Sequence, residues 1–240
     1  MLTSLQYSVQ KYLRGLLHFV YPEYCVVCAE LLPEGMQDIC IFCEDSLMYT
    51  YYEKFKEDSP LDELFYGRAQ LESTFSLLNF SRGTSTRKIV HQIKYKNNKP
   101  LAHFMGRKMG RALHEKWKEG FPDVLIPVPL HPKKFYLRGY NQSELLAKGV
   151  AHETGIKVLV SLLKRRVHTQ TQTKKGKYAR WDNVEDIFTV NHPLRWKNKH
   201  ICIIDDVITT GSTLESCIRK LKEEIPGVKI SVISLAMAKK

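Results

Sequence analysis

The sequence predicts an α/β protein with a mainly parallel sheet flanked by helices, preceded by a small cysteine-containing module. Its 240 residues are many for one compact domain and enough for a domain with an appendage. Strand and helix patterns alternate from Ser73 to the C-terminus, as they do in parallel sheets, and four cysteines cluster near the N-terminus. We therefore predict a helix and cysteine module in residues 1–50, a connector in 51–72 and the α/β domain in 73–240.

The alternation predicts individual elements. Short apolar runs predict strands at Ser73–Phe80, Asp123–Pro129, Lys157–Leu163, His200–Ile204 and Lys229–Met237. Apolar residues at helical spacing predict helices at Thr86–Lys96, Leu101–Lys118, Asn141–Glu153 and Gly211–Glu224. The polar stretches Val128–Gly139 and Lys164–Asn183 predict loops.

The chain is strongly basic, with a formal net charge of +12 and a pI near 9.4. Such an excess favours anionic partners, namely nucleic acid, phosphorylated metabolites or an anionic membrane surface. A merely soluble basic protein explains the charge equally well. The basic residues crowd into 87–118, 133–138, 164–180 and 195–199.

The first twenty residues predict a short amphipathic helix that Pro22 ends. Lys11, Arg14 and His18 interrupt its apolar pattern, which excludes a signal peptide and a membrane span. Packing against the rest of the protein is favoured over docking on a membrane. Without a secretory signal a disulfide framework is not expected, and we predict a cytoplasmic protein without stable membrane insertion.

The clustered cysteines form two Cys-x-x-Cys pairs, Cys25 with Cys28 and Cys40 with Cys43, separated by eleven residues. Each pair can present two thiolates from a tight turn, and four soft ligands suit a tetrahedral Zn²⁺ ion. A redox dithiol and unpaired core thiols are the alternatives. Since four thiolates leave no open ligand position, the predicted zinc is structural. The other two cysteines, Cys202 and Cys217, lie in apolar patterns and are predicted to be core residues.

The segment Ile201–Thr213 combines the requirements of a ribose-phosphate site. An apolar strand ends at Asp205 and Asp206, whose carboxylates can accept hydrogen bonds from vicinal ribose hydroxyls. A Thr- and Gly-containing loop then opens a helix, where backbone N–H groups and the helix dipole favour a phosphate. No Walker-type or Gly-x-Gly-x-x-Gly motif is present. The alternative is a strand followed by an acidic turn and an ordinary helix cap.

This segment resembles the signature of type I phosphoribosyltransferases, in which four apolar residues precede Asp-Asp and Thr-Gly-x-Thr. The resemblance implies that fold and the ligand phosphoribosyl pyrophosphate with Mg²⁺. It also implies that Asp205 and Asp206 hold the ribose 2′- and 3′-hydroxyls and act in catalysis. The residues implied to hold the 5′-phosphate are Thr209, Thr210, Gly211, Ser212 and Thr213.

A second resemblance spans about Cys25 to the C-terminus. The segments Pro127–Lys134 and Arg138–Gln142, with Ile93–Lys96 and the Cys-x-x-Cys pairs, are similar to the ComF family associated with competence. This resemblance implies a role in natural transformation, in which the protein handles incoming single-stranded DNA alongside a helicase.

The two basic loops complete the predicted site. The loop Val128–Gly139 follows a strand, and its basic side chains can bind the pyrophosphate leaving group. A solvated basic turn is the alternative. The residues predicted for this role are Pro129, Lys133, Lys134, Arg138 and Gly139, of which Lys133 and Arg138 are also predicted to be catalytic.

The stretch Lys164–Arg180 is predicted to be exposed and either to close over the reacting centre or to follow a nucleic-acid backbone. Its candidate nucleic-acid contacts are Lys164, Arg165, Arg166, Lys174, Lys175 and Arg180. Tyr178 and Trp181 offer stacking surfaces beside them, although both are more often packing residues.

Two hypotheses of different class follow. In the first, the chain is an enzyme that transfers ribosyl 5-phosphate to a nitrogen acceptor, with electrostatic stabilisation of the departing pyrophosphate. In the second, it is a binding protein of DNA uptake whose ribose-phosphate site holds nucleotide ends or a signalling metabolite. We favour the second as the biological role, with the first as the chemistry of the site.

Overall fold

The computed structural model describes residues 22–33, 35–36, 38–55, 59–166 and 187–238. The predicted N-terminal helix and the candidate contacts Lys174, Lys175 and Arg180, with Tyr178 and Trp181, lie outside the described residues. Within the described ranges, no helix combines the length and apolar character that crossing a membrane requires.

A five-stranded parallel sheet forms the centre of the α/β domain, in the order β1–β7–β6–β2–β3. A separate two-stranded antiparallel sheet pairs β4 with β5. The strands are β1 Ser73–Phe80, β2 Val124–Pro127, β3 Lys157–Val158, β4 Leu163–Arg165, β5 Phe188–Val190, β6 His200–Ile208 and β7 Lys229–Ala238. The parallel sheet with its flanking helices confirms the predicted fold class.

Seven α-helices lie in the described part of the chain. They are α1 Ile41–Asp45, α2 Pro60–Glu63, α3 Ser85–Tyr95, α4 Lys99–Lys116, α5 Pro132–Arg138, α6 Gln142–Thr154 and α7 Ser212–Glu224. Short 3₁₀ turns occur at Tyr52–Lys54 and Pro193–Trp196. The helix α6 packs against β2 and β6, and α3 packs against β1.

The sheet is buried because its strands are continuously apolar, as expected when helices cover a parallel sheet. In β6 the run Ile201–Ile204 is fully buried. The helices α4 and α6 approach each other through glycines. A Cβ on Gly106 would lie 2.3 Å from the Leu146 carbonyl oxygen, and one on Gly149 would lie 2.3 Å from that of His103.

The structure corrects three sequence-based elements. The predicted loop Val128–Gly139 contains the helix α5, which His131 caps at its N-terminus and Gly139 ends at φ 73°. The predicted strand Lys157–Leu163 is broken, with β3 and β4 in different sheets. The predicted loop Lys164–Asn183 begins in β4, because residues 163–165 pair with β5.

A further correction concerns β6, which continues through both aspartates to Ile208 instead of ending before them. Its ladder with β7 pairs Asp205 with Ser234 and Val207 with Ala236. Because β2 and β6 are paired neighbours, the segments that follow them meet at the same edge of the sheet. This edge is the place where a ligand site is expected.

Candidate functional site

The four cysteines of the N-terminal module converge. Their sulfur atoms all lie within 4.8 Å of one another, and the Sγ atoms of Cys28 and Cys40 are 3.8 Å apart. Four sulfurs about 2.3 Å from a tetrahedral Zn²⁺ would be separated by about 3.8 Å. The donor set and its spacing therefore fit a structural zinc ion.

Backbone amides support these sulfurs. The Cys40 N–H donates to Cys25 Sγ at 3.4 Å, and the Cys43 N–H donates to Cys40 Sγ at 3.4 Å. Burial raises the pKa of the Cys25 thiol, but hydrogen bonds from the amides of Cys28, Cys40 and Val27 outweigh it and lower the pKa to about 6. In the same cluster, burial and the neighbouring sulfurs raise the pKa of Cys43, so the thiols do not all share the low pKa.

The remaining cysteines are core residues, as predicted. Cys202 on β6 and Cys217 on α7 are fully buried. Burial raises the pKa of both thiols.

The two carboxylates at the end of β6 have different surroundings. Asp205 Oδ1 accepts hydrogen bonds from Ser143 Oγ at 3.1 Å and from the Asp206 N–H at 2.8 Å. Burial, with a smaller contribution from the charge of Asp206, raises the pKa of Asp205 to about 7 despite these hydrogen bonds. Asp205 therefore titrates near neutral pH.

Asp206 has an internal cation beside it. Lys94, in the last turn of α3, places Nζ 3.0 Å from Asp206 Oδ1. Asp206 is only 5% exposed, and its Oδ2 atom is buried with no hydrogen-bond partner among the described residues. Sequence reasoning missed the role of Lys94, since nothing local connects it with β6.

The Thr-Gly loop follows β6 directly. Gly211, at φ 75°, precedes the first turn of α7. A small cavity of about 40 Å³ lies here, lined by Asp205, Val207, Ile208, Thr209, Thr210, Gly211, Ser212, Thr213 and Leu214. The structure thus brings Asp205 together with all five residues predicted for the phosphate.

The connector supports this loop from behind. Arg68 donates from Nη1 to the Thr210 carbonyl oxygen at 2.9 Å and from Nη2 to Glu215 Oε2 at 2.6 Å. A Cβ on Gly211 would approach side-chain atoms of Leu64 and Phe65 at 3.3 Å. These contacts leave little room for any residue other than glycine, and sequence reasoning did not foresee them.

The predicted pyrophosphate residues lie on and around α5. Lys133 and Lys134 are exposed on this helix. Arg138 is partly buried, and its guanidinium lies 5.3 Å from the centre of the Tyr95 ring. This stacking joins α5 to α3, next to Lys94. Pro129 and Gly139 flank the helix.

Unpartnered buried polar atoms concentrate near the carboxylates. In the described part of the chain, four buried side-chain atoms lack a hydrogen-bond partner, namely Thr86 Oγ1, Arg138 Nη1, Gln142 Oε1 and Asp206 Oδ2. Asp206 and Arg138 are predicted site residues. Gln142 adjoins the site, because it directly precedes Ser143, which binds Asp205. Such atoms are rare in folded proteins, and a bound ligand would supply the partners that they lack. Gln142 is a site candidate that the sequence reasoning quoted only as part of a motif.

The basic residues 164–166 are held on and beside β4. Arg165 places its guanidinium 5.7 Å from the centre of the Phe188 ring on β5, and the Arg166 N–H donates to the Ile187 carbonyl oxygen at 2.8 Å. Lys164 and Arg166 are exposed.

These features define the class. A parallel sheet in which one strand carries paired carboxylates near its carboxyl end and leads into a Thr-Gly loop is an α/β protein of the phosphoribosyltransferase type. Competence protein F of Haemophilus influenzae is 30% identical over 154 residues, which cover 62% of this chain and 67% of that protein. Competence protein ComFC of Bacillus subtilis is 28% identical over 226 residues, which cover 88% of this chain and 76% of that protein. The chain belongs to the ComF family.

Other similarities are more partial. DNA utilization protein YhgH of Escherichia coli K12 is 30% identical over 129 residues, and the match spans 52% of this chain and only 56% of that protein. A purine phosphoribosyltransferase from Pyrococcus horikoshii is 25% identical, with a TM-score of 0.37 over 56% of this chain and 74% of that one. A glutamine phosphoribosylpyrophosphate amidotransferase from B. subtilis is 18% identical, with a TM-score of 0.40 over 59% of this chain and 30% of that one. No protein-family model matches the chain.

Proposed function

We propose that the chain binds a ribose 5-phosphate group, carried by phosphoribosyl pyrophosphate or a related compound, at the carboxyl end of β6. The observation that carries this proposal is the unpartnered Asp206 Oδ2 atom, which is buried in the residue next to Asp205, a lining residue of the cavity at the Thr-Gly loop. A buried carboxylate oxygen requires a donor, and the vicinal hydroxyls of ribose are donors. Gln142 Oε1 is a second buried acceptor available to a ligand hydroxyl.

The loop Thr209–Thr213 would hold the 5′-phosphate. The first N–H groups of α7 have no partner within the helix, and they carry the positive end of its dipole. The hydroxyls of Thr210 and Ser212 are hydrogen-bonded to each other at 3.1 Å, which leaves one O–H to donate to the phosphate.

The pyrophosphate of phosphoribosyl pyrophosphate would lie towards α5. Arg138 has a buried Nη1 donor without a partner, and Lys133 and Lys134 supply further positive charge. Magnesium carried by the pyrophosphate would neutralise part of its charge. In an enzyme, the bond from ribose C1 to pyrophosphate breaks as a nitrogen acceptor bonds to C1. Lys133 and Arg138 would stabilise the negative charge of the leaving group.

Calorimetric titration with phosphoribosyl pyrophosphate tests the site. Gly211→Val is expected to weaken binding at least about tenfold, because a β-branched residue is strained at this φ and displaces the loop from Leu64 and Phe65. Gly155→Val is the matched control, since Gly155 has φ 73° in open space at the end of α6. Equal affinity in both variants, or no binding by the wild type, contradicts the proposal. Pyrophosphate release with ammonia or nucleobases then separates an enzyme from a binding protein.

The names of the relatives support a biological role in competence and DNA use. We propose that this protein handles single-stranded DNA during natural transformation, with a helicase as a possible partner of that process. A cytoplasmic location is proposed with this role, because cysteines that bind zinc as thiolates must stay reduced, as they do in reducing compartments.

A DNA strand would not occupy the carboxylate pair. An internal deoxyribose has no 2′-hydroxyl and its 3′-oxygen is esterified, so it offers Asp205 and Asp206 no vicinal diol. A phosphodiester beside two carboxylates would also be repelled. The strand therefore requires a different surface.

The exposed face shared by α3 and α5, here called the stacking surface, has the necessary character. It carries both rings and cations, and Tyr136 is 89% exposed. The Arg138–Tyr95 stack makes the surface continuous, and the His91 and Tyr95 rings lie 5.1 Å apart. Its members are His91, Tyr95, Lys96, Lys133, Lys134, Phe135, Tyr136 and Arg138. Aromatic rings that stack on bases, with cations for the phosphates, characterise single-strand binding sites.

Fluorescence anisotropy with a labelled oligothymidine tests this surface. Tyr136→Ala is expected to weaken binding about fivefold to a hundredfold without changing the salt dependence, because one stacked base is lost. The Lys133→Gln, Lys134→Gln double variant is expected to reduce the salt dependence instead. Tyr24→Ala is the control, since Tyr24 is exposed on the cysteine module. Weaker binding in Tyr24→Ala alone would place the strand at that module and contradict the stacking surface.

A further inference from the structure

The contact between Lys94 and Asp206 has consequences for the cation that the site uses. Lys94 Nζ lies 3.0 Å from Asp206 Oδ1, and the lysine side chain is 21% exposed. An ammonium this close to a buried carboxylate is an internal counter-ion, because the low dielectric of the interior strengthens the attraction. Without it, Asp206 would be a buried charge beside a second carboxylate.

The position of Lys94 is fixed by its neighbours. On one side Ile93 is buried, and its carbonyl oxygen accepts a hydrogen bond from the Tyr140 hydroxyl. On the other side Tyr95 is stacked with Arg138. The two contacts hold the last turn of α3 against the site, so the ammonium is presented to Asp206 by the fold.

A resident Mg²⁺ ion does not fit this carboxylate pair. Magnesium requires nearly octahedral oxygen coordination at about 2.0–2.1 Å. Asp205 Oδ1 is already engaged by Ser143 and by the Asp206 amide, and Asp206 Oδ1 is engaged by Lys94, so only the Oδ2 atoms of the pair remain as ligands for a metal. In the part of the chain that the structure describes, only the four cysteines form a group of three or more side chains able to hold a metal. An ammonium bound at Oδ1 would moreover repel a divalent ion.

We propose that Lys94 takes the place of a divalent cation at the carboxylate pair, so that the site accepts a ribose 5-phosphate without magnesium. This inference rests on the proposed ribose-phosphate site. Asp206 Oδ2, which has no hydrogen-bond partner among the described residues, is the oxygen left for a ribose hydroxyl, while Lys94 neutralises Oδ1. Any requirement for magnesium then comes from the pyrophosphate of the ligand. Lys94 is a positioning residue, because it orients the Asp206 carboxylate that would contact the ribose.

The first test uses ribose 5-phosphate, which has no pyrophosphate to carry its own metal. Zinc-loaded protein is titrated in metal-stripped buffer with and without magnesium, avoiding chelators that would remove zinc. Magnesium is expected to change the affinity of the wild type and of Lys94→Arg for ribose 5-phosphate by less than about twofold. In Lys94→Gln, magnesium is expected to raise this affinity at least about tenfold. Lys118→Gln, which changes an exposed lysine paired with Glu115, is the control. Equal magnesium dependence of wild type and Lys94→Gln overturns the inference.

The second test needs no organic ligand. Binding of Mn²⁺ alone is followed by electron paramagnetic resonance of the free ion. Lys94→Gln is expected to gain an Mn²⁺ site that the wild type lacks and that Lys94→Gln, Asp206→Asn loses. No gain in the single variant overturns the inference. If the wild type does not bind ribose 5-phosphate but Lys94→Gln still gains the Mn²⁺ site, the proposed function is overturned and the role of Lys94 stands.

Discussion

Cys40→Ser is expected to release zinc from the protein and to unfold the N-terminal module. Cys40 has three roles, since its sulfur belongs to the cluster and accepts the Cys43 N–H, while its own N–H donates to Cys25 Sγ. Structural zinc contributes about 10–16 kcal/mol to the folding of small zinc modules, so three ligands should not hold the fold. Zinc content by mass spectrometry and limited proteolysis measure the effect.

The loss of zinc should also destabilise the α/β domain, because the module is hydrogen-bonded to it. Lys88 Nζ donates to the Val27 carbonyl oxygen at 2.6 Å, and Asn98 Nδ2 donates to Asp38 Oδ1 at 2.9 Å. We therefore expect a lower melting temperature together with the loss of metal. Cys217→Ser is the control, since it changes a buried thiol on α7 and should lower stability with full zinc content. A Cys40→Ser protein that retains zinc would refute the four-cysteine site.

Asp205→Asn is expected to stabilise the protein and weaken ligand binding at the same time. The pKa of Asp205 is raised to about 7 by burial and by the charge of Asp206, against an ordinary value of 3.8. Between these values the folded state binds more protons than the unfolded state, so this group makes the free energy of unfolding fall as pH rises. Above pH 7 the full penalty is present, and below about pH 4 it is absent.

The asparagine keeps an Oδ1 acceptor for Ser143 and for the Asp206 amide, but it carries no charge. The variant should be more stable than the wild type at pH 8, by on the order of 2 kcal/mol, with the difference shrinking towards pH 4. Urea unfolding at both pH values measures it. Affinity for ribose 5-phosphate should fall about tenfold as a charged hydrogen bond is lost. A stability gain over the wild type that is smaller at pH 8 than at pH 4 would contradict the burial assigned to Asp205.

Local sequence foresaw the elements whose signals lie within a few residues. The run Ile201–Ile204 is apolar on both faces, which is characteristic of a strand covered by helices on both sides. The spacing within each Cys-x-x-Cys pair likewise encodes a tight turn. The helix α5 carried its own signals in Pro132 and Gly139, and we misread it as a loop because its basic composition resembled a solvated turn.

Local sequence patterns could not predict contacts between segments that are distant in the chain. The strand β6 continues to Ile208 because its ladder with β7 supplies hydrogen-bond partners for the backbone groups. Without those partners, an acidic pair is expected to form a turn. Arg68 became a support of the phosphate loop only because the connector folds beneath Thr210. Gln142 became a candidate only when its Oε1 proved buried and unpartnered.

The sequence by itself determined the fold class and the clustering of the four cysteines, and it predicted a ribose-phosphate site at Asp205, Asp206 and the Thr-Gly loop, because each depends on residues that are close in the chain. Only the tertiary structure decided which cation meets those carboxylates. Lys94 is joined to Asp206 by the packing of α3 against the sheet, not by any pattern along the chain. The protonation of Asp205 was decided in the same way, since burial is a property of the surroundings that the fold assembles.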